Sequence, residues 1–132
     1  MDRIDVDSAQ LDELIDDFDT LPPRVTAGAR RRVERGALNV KNAWKRRWTG
    51  HDFIPHLPDA VSYDVHEHGD VISAEVGPDK TKRQGPLGNI IEFGTVNSAP
   101  IPGGVPALGE EEPRYVNAMA DLAEKALDRG AR

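Results

Sequence analysis

The sequence predicts an α+β fold, with a long basic amphipathic helix packed on a small antiparallel sheet, then a Gly/Pro-rich arm and a C-terminal helix. Three observations carry this. Apolar residues recur at helical spacing over residues 24–48, two runs of period-two alternation flank a turn at His68-Gly69-Asp70, and helical spacing returns over 113–129. The 132 residues suffice for one core and are read as a single domain.

The first element expected is a helix over 8–20. Asp7 or Ser8 can cap it, and Leu11, Leu14, Ile15 and Phe18 recur at i, i+3, i+4, i+7. Leu21, Pro22 and Pro23 end it, because proline lacks an N–H and restricts the residue before it. Over 24–48, Val25, Ala29, Val33, Ala37, Val40 and Trp44 share one arc. Arg24, Arg31, Arg32, Arg35, Lys45 and Arg46 fall opposite. Trp44 and Trp48 read as core, Gly36 as a bend or close approach, and Gly50 as the stop.

Val61, Tyr63 and Val65 alternate with Ser62, Asp64 and His66, and Ile72, Ala74 and Val76 alternate with Ser73 and Glu75. These runs predict a hairpin over 60–77 with one face on the Trp-bearing helix. The stretch 77–113 then holds 13 of the chain's 22 Gly and Pro residues in 37 positions. Such a stretch reads as an arm or functional loop. Within it Asn89-Ile90-Ile91-Glu92-Phe93 fits either a third strand or a helical turn. Tyr115, Met119, Leu122 and Ala126 mark the inner side of the last helix, with Gly130 beyond its end.

The formal net charge of −6 conceals segregation. Residues 1–21 hold eight acids and one base, and residues 22–50 hold nine bases and one acid. The basic block suits nucleic acid, an acidic protein surface, or the chain's own acidic start. An overall pI near 5.2 favours protein over nucleic acid. No run of about 18 apolar residues is present to span a bilayer, and the first thirty residues lack the basic start and apolar stretch of a signal peptide. The expectation is a soluble protein with no membrane partner.

Catalytic chemistry finds little support. The chain has no cysteine, which removes disulfides, thiol nucleophiles and thiolate metal sites. His66 and His68 share a strand face beside Asp64 and Asp70, short of the three or four convergent ligands of a preformed metal site. His51, Asp52 and His56 lie in a proline-bearing loop. Gly77-Pro78-Asp79-Lys80-Thr81-Lys82 lacks the glycine that precedes the lysine of a phosphate loop. No serine has a nucleophile-elbow or triad context. The expectation is therefore no catalytic set, no metal, no cofactor and no enzymatic activity.

Gly85-Pro86-Leu87-Gly88-Asn89-Ile90-Ile91-Glu92-Phe93-Gly94-Thr95, followed by Pro100, Pro102 and Pro106-Ala107-Leu108, resembles the small neck or tail-completion proteins of long-tailed bacteriophages. In that family an apolar pair precedes Glu, an aromatic, Gly and Thr, and a Pro-rich stretch then ends in Pro-Ala-Leu before the last helix. The order of elements agrees along most of the chain, while the motif covers about a fifth of it. One departure is Gly103-Gly104-Val105, where members often carry an aromatic and a basic residue.

The resemblance implies a non-enzymatic structural protein of the virion neck, assembled in the host cytoplasm as a homo-oligomeric ring, six-fold by analogy. Its partners would be other connector and tail proteins, with non-specific contact to passing genomic DNA. The motif residues carrying that role would be Glu92, Phe93, Gly94, Thr95, Pro100, Pro102, Pro106 and Leu108. Arg31, Arg32, Arg35, Lys45 and Arg46 form the basic face. A tail terminator ring is the alternative within the same connector, and a nucleic-acid-binding module using helix 24–48 is the alternative of another class.

Overall fold

Pro23 opens the longest stretch of basic sequence and also its helix. In the computed structural model, which describes residues 4–5, 23–69 and 71–130, helix α1 runs Pro23–Trp48. Proline is well placed at a first helical position, where its missing N–H has no intrahelical acceptor. Lys45, Arg46 and Arg47 occupy the last turn, where cations meet the negative end of the helix dipole. Thr49 Oγ1 donates to the Lys45 carbonyl at 2.6 Å, and Gly50 leaves the helix at φ 92°, a conformation that glycine adopts without strain. The helix expected over 8–20 lies outside the described residues.

A short helix α2 (Leu57–Ala60) leads into strands β2 (Val61–His68) and β3 (Val71–Pro78). They pair antiparallel from Val61 opposite Pro78 to His68 opposite Val71, with Gly69 turning at φ 60°. A two-residue strand β1 (Ile4–Asp5) pairs along the other edge of β3. The predicted alternation holds. Val61, Ile72, Ala74 and Val76 are buried against α1, while Asp64 and His68 face outward.

Residues 89–93 are not a third strand. A 3-10 turn (Gly85–Leu87) runs into helix α3 (Gly88–Phe93), which turns Gly88, Ile91 and Glu92 inward and Leu87, Ile90 and Phe93 outward. Close packing demands glycine at its start, since a Cβ on Gly88 would stand 2.3 Å from Pro78 Cγ.

The last helix also departs from expectation. Helix α4 runs Gly104–Gly130, so it starts nine residues before 113 and absorbs the end of the supposed arm. Pro106 sits in its first turn, where no backbone donor is required. Pro113 lies inside it, and the carbonyl that its ring faces belongs to Gly109, four residues back.

Helices α1 and α4 pack antiparallel. Gly28 meets Leu122, Gly36 meets the Tyr115 ring, and Asn39 Nδ2 donates to both carboxylate oxygens of buried Glu111 at 3.1–3.2 Å. Gly36 is thus a close approach, and a Cβ there would lie 3.0 Å from Tyr115 Cδ1. One core lies between α1, the hairpin and α4, built on Val33, Val40, Trp48, Ile54, Leu57 and Val76.

Candidate interaction surface

The family-like motif is held to the body by one carboxylate. Glu92 lies on the inward side of α3, 5% exposed, and reaches the start of α4. The N–H groups of Gly103 and Gly104 donate to its Oε1 at 2.9 and 3.0 Å, and that of Val105 to Oε2 at 3.4 Å. The first N–H groups of a helix have no intrahelical acceptor, so a side chain eleven residues upstream does the work of a cap. Its negative charge also sits at the positive end of the α4 dipole.

Two further contacts fix the segment between. Ile101 N–H donates to the Ile91 carbonyl at 2.7 Å, and Trp48 Nε1 donates to the Ile101 carbonyl at 2.8 Å. Gly103 lies flat on the indoles, where a Cβ would stand 2.6 Å from Trp44 Cδ1 and 3.0 Å from Trp48 Nε1. The Trp rings meet edge to face at 5.4 Å, a favourable aromatic geometry. No side chain fits at Gly103 between the backbone and Trp44.

Gly94 begins the loop at φ 75°, with a hypothetical Cβ only 2.7 Å from the Ser98 carbonyl. Thr95 and Ser98 form an isolated antiparallel bridge, and Asn97 N–H donates to Thr95 Oγ1 at 3.3 Å. This bracing presents apolar side chains to solvent. Phe93 is 57% exposed and Val96 fully so, beside exposed Ile90 and Leu87. Pro100 and Pro102 are exposed as well. Pro106 and Leu108 belong to α4 rather than to an arm, both half-buried, with Leu108 packed on the core.

The basic residues divide into two groups. Arg31, Arg35 and Arg46 project from α1 into solvent and have no carboxylate partner among the described residues. Arg32 instead turns towards α4. Its Nε donates to the Ala118 carbonyl at 3.0 Å and its Nη1 to the Gly28 carbonyl at 3.2 Å, with Asp121 at 3.9 Å. Lys45 is half-buried, 3.7 Å from Asp59. Arg30 and Arg47 are paired with Glu67 and Glu110. A cleft of about 200 Å³ between the helices is lined by Arg24, Arg31, Arg32, Leu122 and Lys125.

Asp70, expected beside the histidine pair, lies outside the described residues. His66 and His68 stack at 6.3 Å and His66 Nε2 lies 3.8 Å from Glu75, and no group of three potential ligands occurs among the described residues. Glu111 is a site residue absent from the sequence-based expectations, held by Asn39 and by Arg114 Nε at 2.9 Å. A signal for Glu111 was present: it follows Ala107 by four residues and precedes Tyr115 by four, on the inner side of α4.

No protein-family model matches the chain, and neither does any curated protein or solved structure. No helix among the described residues is long and apolar enough to cross a membrane.

Proposed function

We propose that the chain is a structural ring subunit in the neck of a tailed bacteriophage, joining the head to the tail without catalysis. The observation that carries this is the motif centred on Glu92. A buried carboxylate, a glycine at positive φ and an indole hydrogen bond hold a short loop rigid, while Phe93 and Val96 on that loop are left in water. A contact presented on a braced loop loses little entropy when it docks. Glu92, Phe93 and Gly94 are among the residues in which the chain resembles the neck family.

The ring would be six-fold by that resemblance, in contact with other connector and tail proteins, and located in the virion after assembly in the host cytoplasm. The tail-completion ring and the tail terminator ring are the two positions open to it. Imaging intact particles with the chain labelled tests both. Density at the neck supports the reading and its level separates the two rings, while absence of the chain from purified virions overturns it.

A nucleic-acid-binding role is favoured by one observation, that Arg31, Arg35 and Arg46 are exposed and without a carboxylate partner among the described residues. Retention of DNA by the purified protein that falls steeply with salt would support it.

A further inference from the structure

Two surface stripes of equal length run along the paired helices. Taking 100° per residue, Arg24, Arg31, Arg35 and Arg46 of α1 fall within about 60° of one another. They span 22 residues, about 33 Å at 1.5 Å per residue. All four are exposed, none has a carboxylate partner among the described residues, and half-buried Leu38 lies at the stripe's edge.

Helix α4 carries the counterpart. Val105, Val116, Ala120, Ala123 and Leu127 also fall within about 60° and also span 22 residues. The residues of α4 that meet α1 (Glu111, Tyr115, Leu122) lie on another side of the helix, and this stripe keeps Val105 60% and Leu127 75% exposed, Ala120 exposed, and Val116 and Ala123 half-buried. Glu112 borders it on one side and Glu124 on the other, both exposed and without a cationic partner among the described residues. Arg114 and Lys125 of α4 lie outside the stripe, bonded to Glu111 and Asp121.

We infer that the acid-bordered apolar stripe of α4 docks on the arginine stripe of α1 in a second copy of this chain. The occupant follows from charge complementarity and matched length. Arginine stems cover apolar surface while their guanidinium groups reach carboxylates at its border, and each stripe supplies what the other lacks. Because the two stripes are different surfaces of one molecule, the contact is head-to-tail and closes into a ring when the rotation permits. The inference rests on the ring-subunit reading and deepens it by naming the joining surfaces.

Charge reversal in two complementary variants of the full chain tests it. Arg31→Glu with Arg35→Glu reverses α1, and Glu112→Arg with Glu124→Arg reverses α4. Sedimentation at low salt should show the wild type self-associated and each variant alone associating at least about tenfold more weakly. An equimolar mixture should recover association, since each reversed stripe then meets a complementary one. Circular dichroism and melting of each variant establish that it is folded.

A monomeric wild type, variants that associate like the wild type, or a mixture that fails to recover each overturns the inference. A monomeric wild type whose DNA retention is lost with Arg31 and Arg35 assigns the arginine stripe to nucleic acid instead. Failure of the neck reading is separate, because it shows as absence from virions whatever the sedimentation result.

Discussion

Glu92 and Gly103 are joined by a 2.9 Å hydrogen bond in which the glycine N–H donates to a carboxylate 5% exposed. This bond ties the outward-facing helix α3 to the start of the longest helix in the chain. Losing it should loosen both. Glu92→Ala leaves the Gly103 and Gly104 N–H groups buried without an acceptor, a loss of about 2–3 kcal/mol. Glu92→Gln keeps an acceptor for Gly103 and Gly104 but turns an amide donor towards the Val105 N–H and loses the charge, for about 1–2 kcal/mol. Urea denaturation should rank the three proteins in that order, and amide exchange should accelerate first at Gly103 and Gly104.

Two glycines of the same region should respond in opposite directions. A Cβ on Gly103 would stand 2.6 Å from Trp44 Cδ1, so Gly103→Ala must displace a packed indole, at about 1–3 kcal/mol. The Trp emission should change with it. A Cβ on Gly109 meets nothing within 4 Å, so Gly109→Ala gains helix propensity and should stabilise by up to about 1 kcal/mol. Thermal melts of the two variants check both signs.

Asn39 Nδ2 donates to both carboxylate oxygens of the buried Glu111. Asn39→Asp replaces that donor with a second carboxylate facing the first, a like-charge pair that Arg114 alone must offset. Destabilisation of about 2–4 kcal/mol is expected, with Asn39→Ala nearer 1–2 kcal/mol. Should the aspartate variant melt with the wild type at neutral pH, the Asn39–Glu111 contact is not a stabilising one.

The elements that were legible in the sequence are those whose partners are nearby. Helix α1 could be read because Val33, Ala37, Val40 and Trp44 recur on one arc, and the hairpin because Ile72, Ala74 and Val76 alternate. The first nine residues of α4 could not, since Gly104, Pro106 and Gly109 each argue against a helix by local rules. They are helical because an acceptor for their N–H groups arrives from Glu92, a contact that no window along α4 contains. Residues 89–93 were ambiguous for a related reason. Helix α3 turns Glu92 inward and Phe93 outward, which inverts the usual hydrophobic pattern. At the interaction surface, Glu92 and Gly94 were legible as backbone devices, whereas the space above Trp44 that demands Gly103 is a tertiary fact.

Phe93 and Val96 offer the sharpest separation of stability from assembly. Both side chains stand in water, Phe93 57% exposed and Val96 fully so, so Phe93→Ser and Val96→Ser remove little buried area and should shift stability by no more than about 0.5 kcal/mol. If these residues serve only the monomer, nothing else should change. If the braced loop is a docking element, the double variant should fold and melt like the wild type yet fail to join heads to tails when it replaces the wild-type chain in an infected cell. Glu92→Ala is the informative companion, because it leaves Phe93 and Val96 in place and removes the bracing. Loss of joining in both, with lowered stability only in the second, would show that presentation as well as composition of the loop matters. Normal joining by the double variant would remove this loop from the proposed contact.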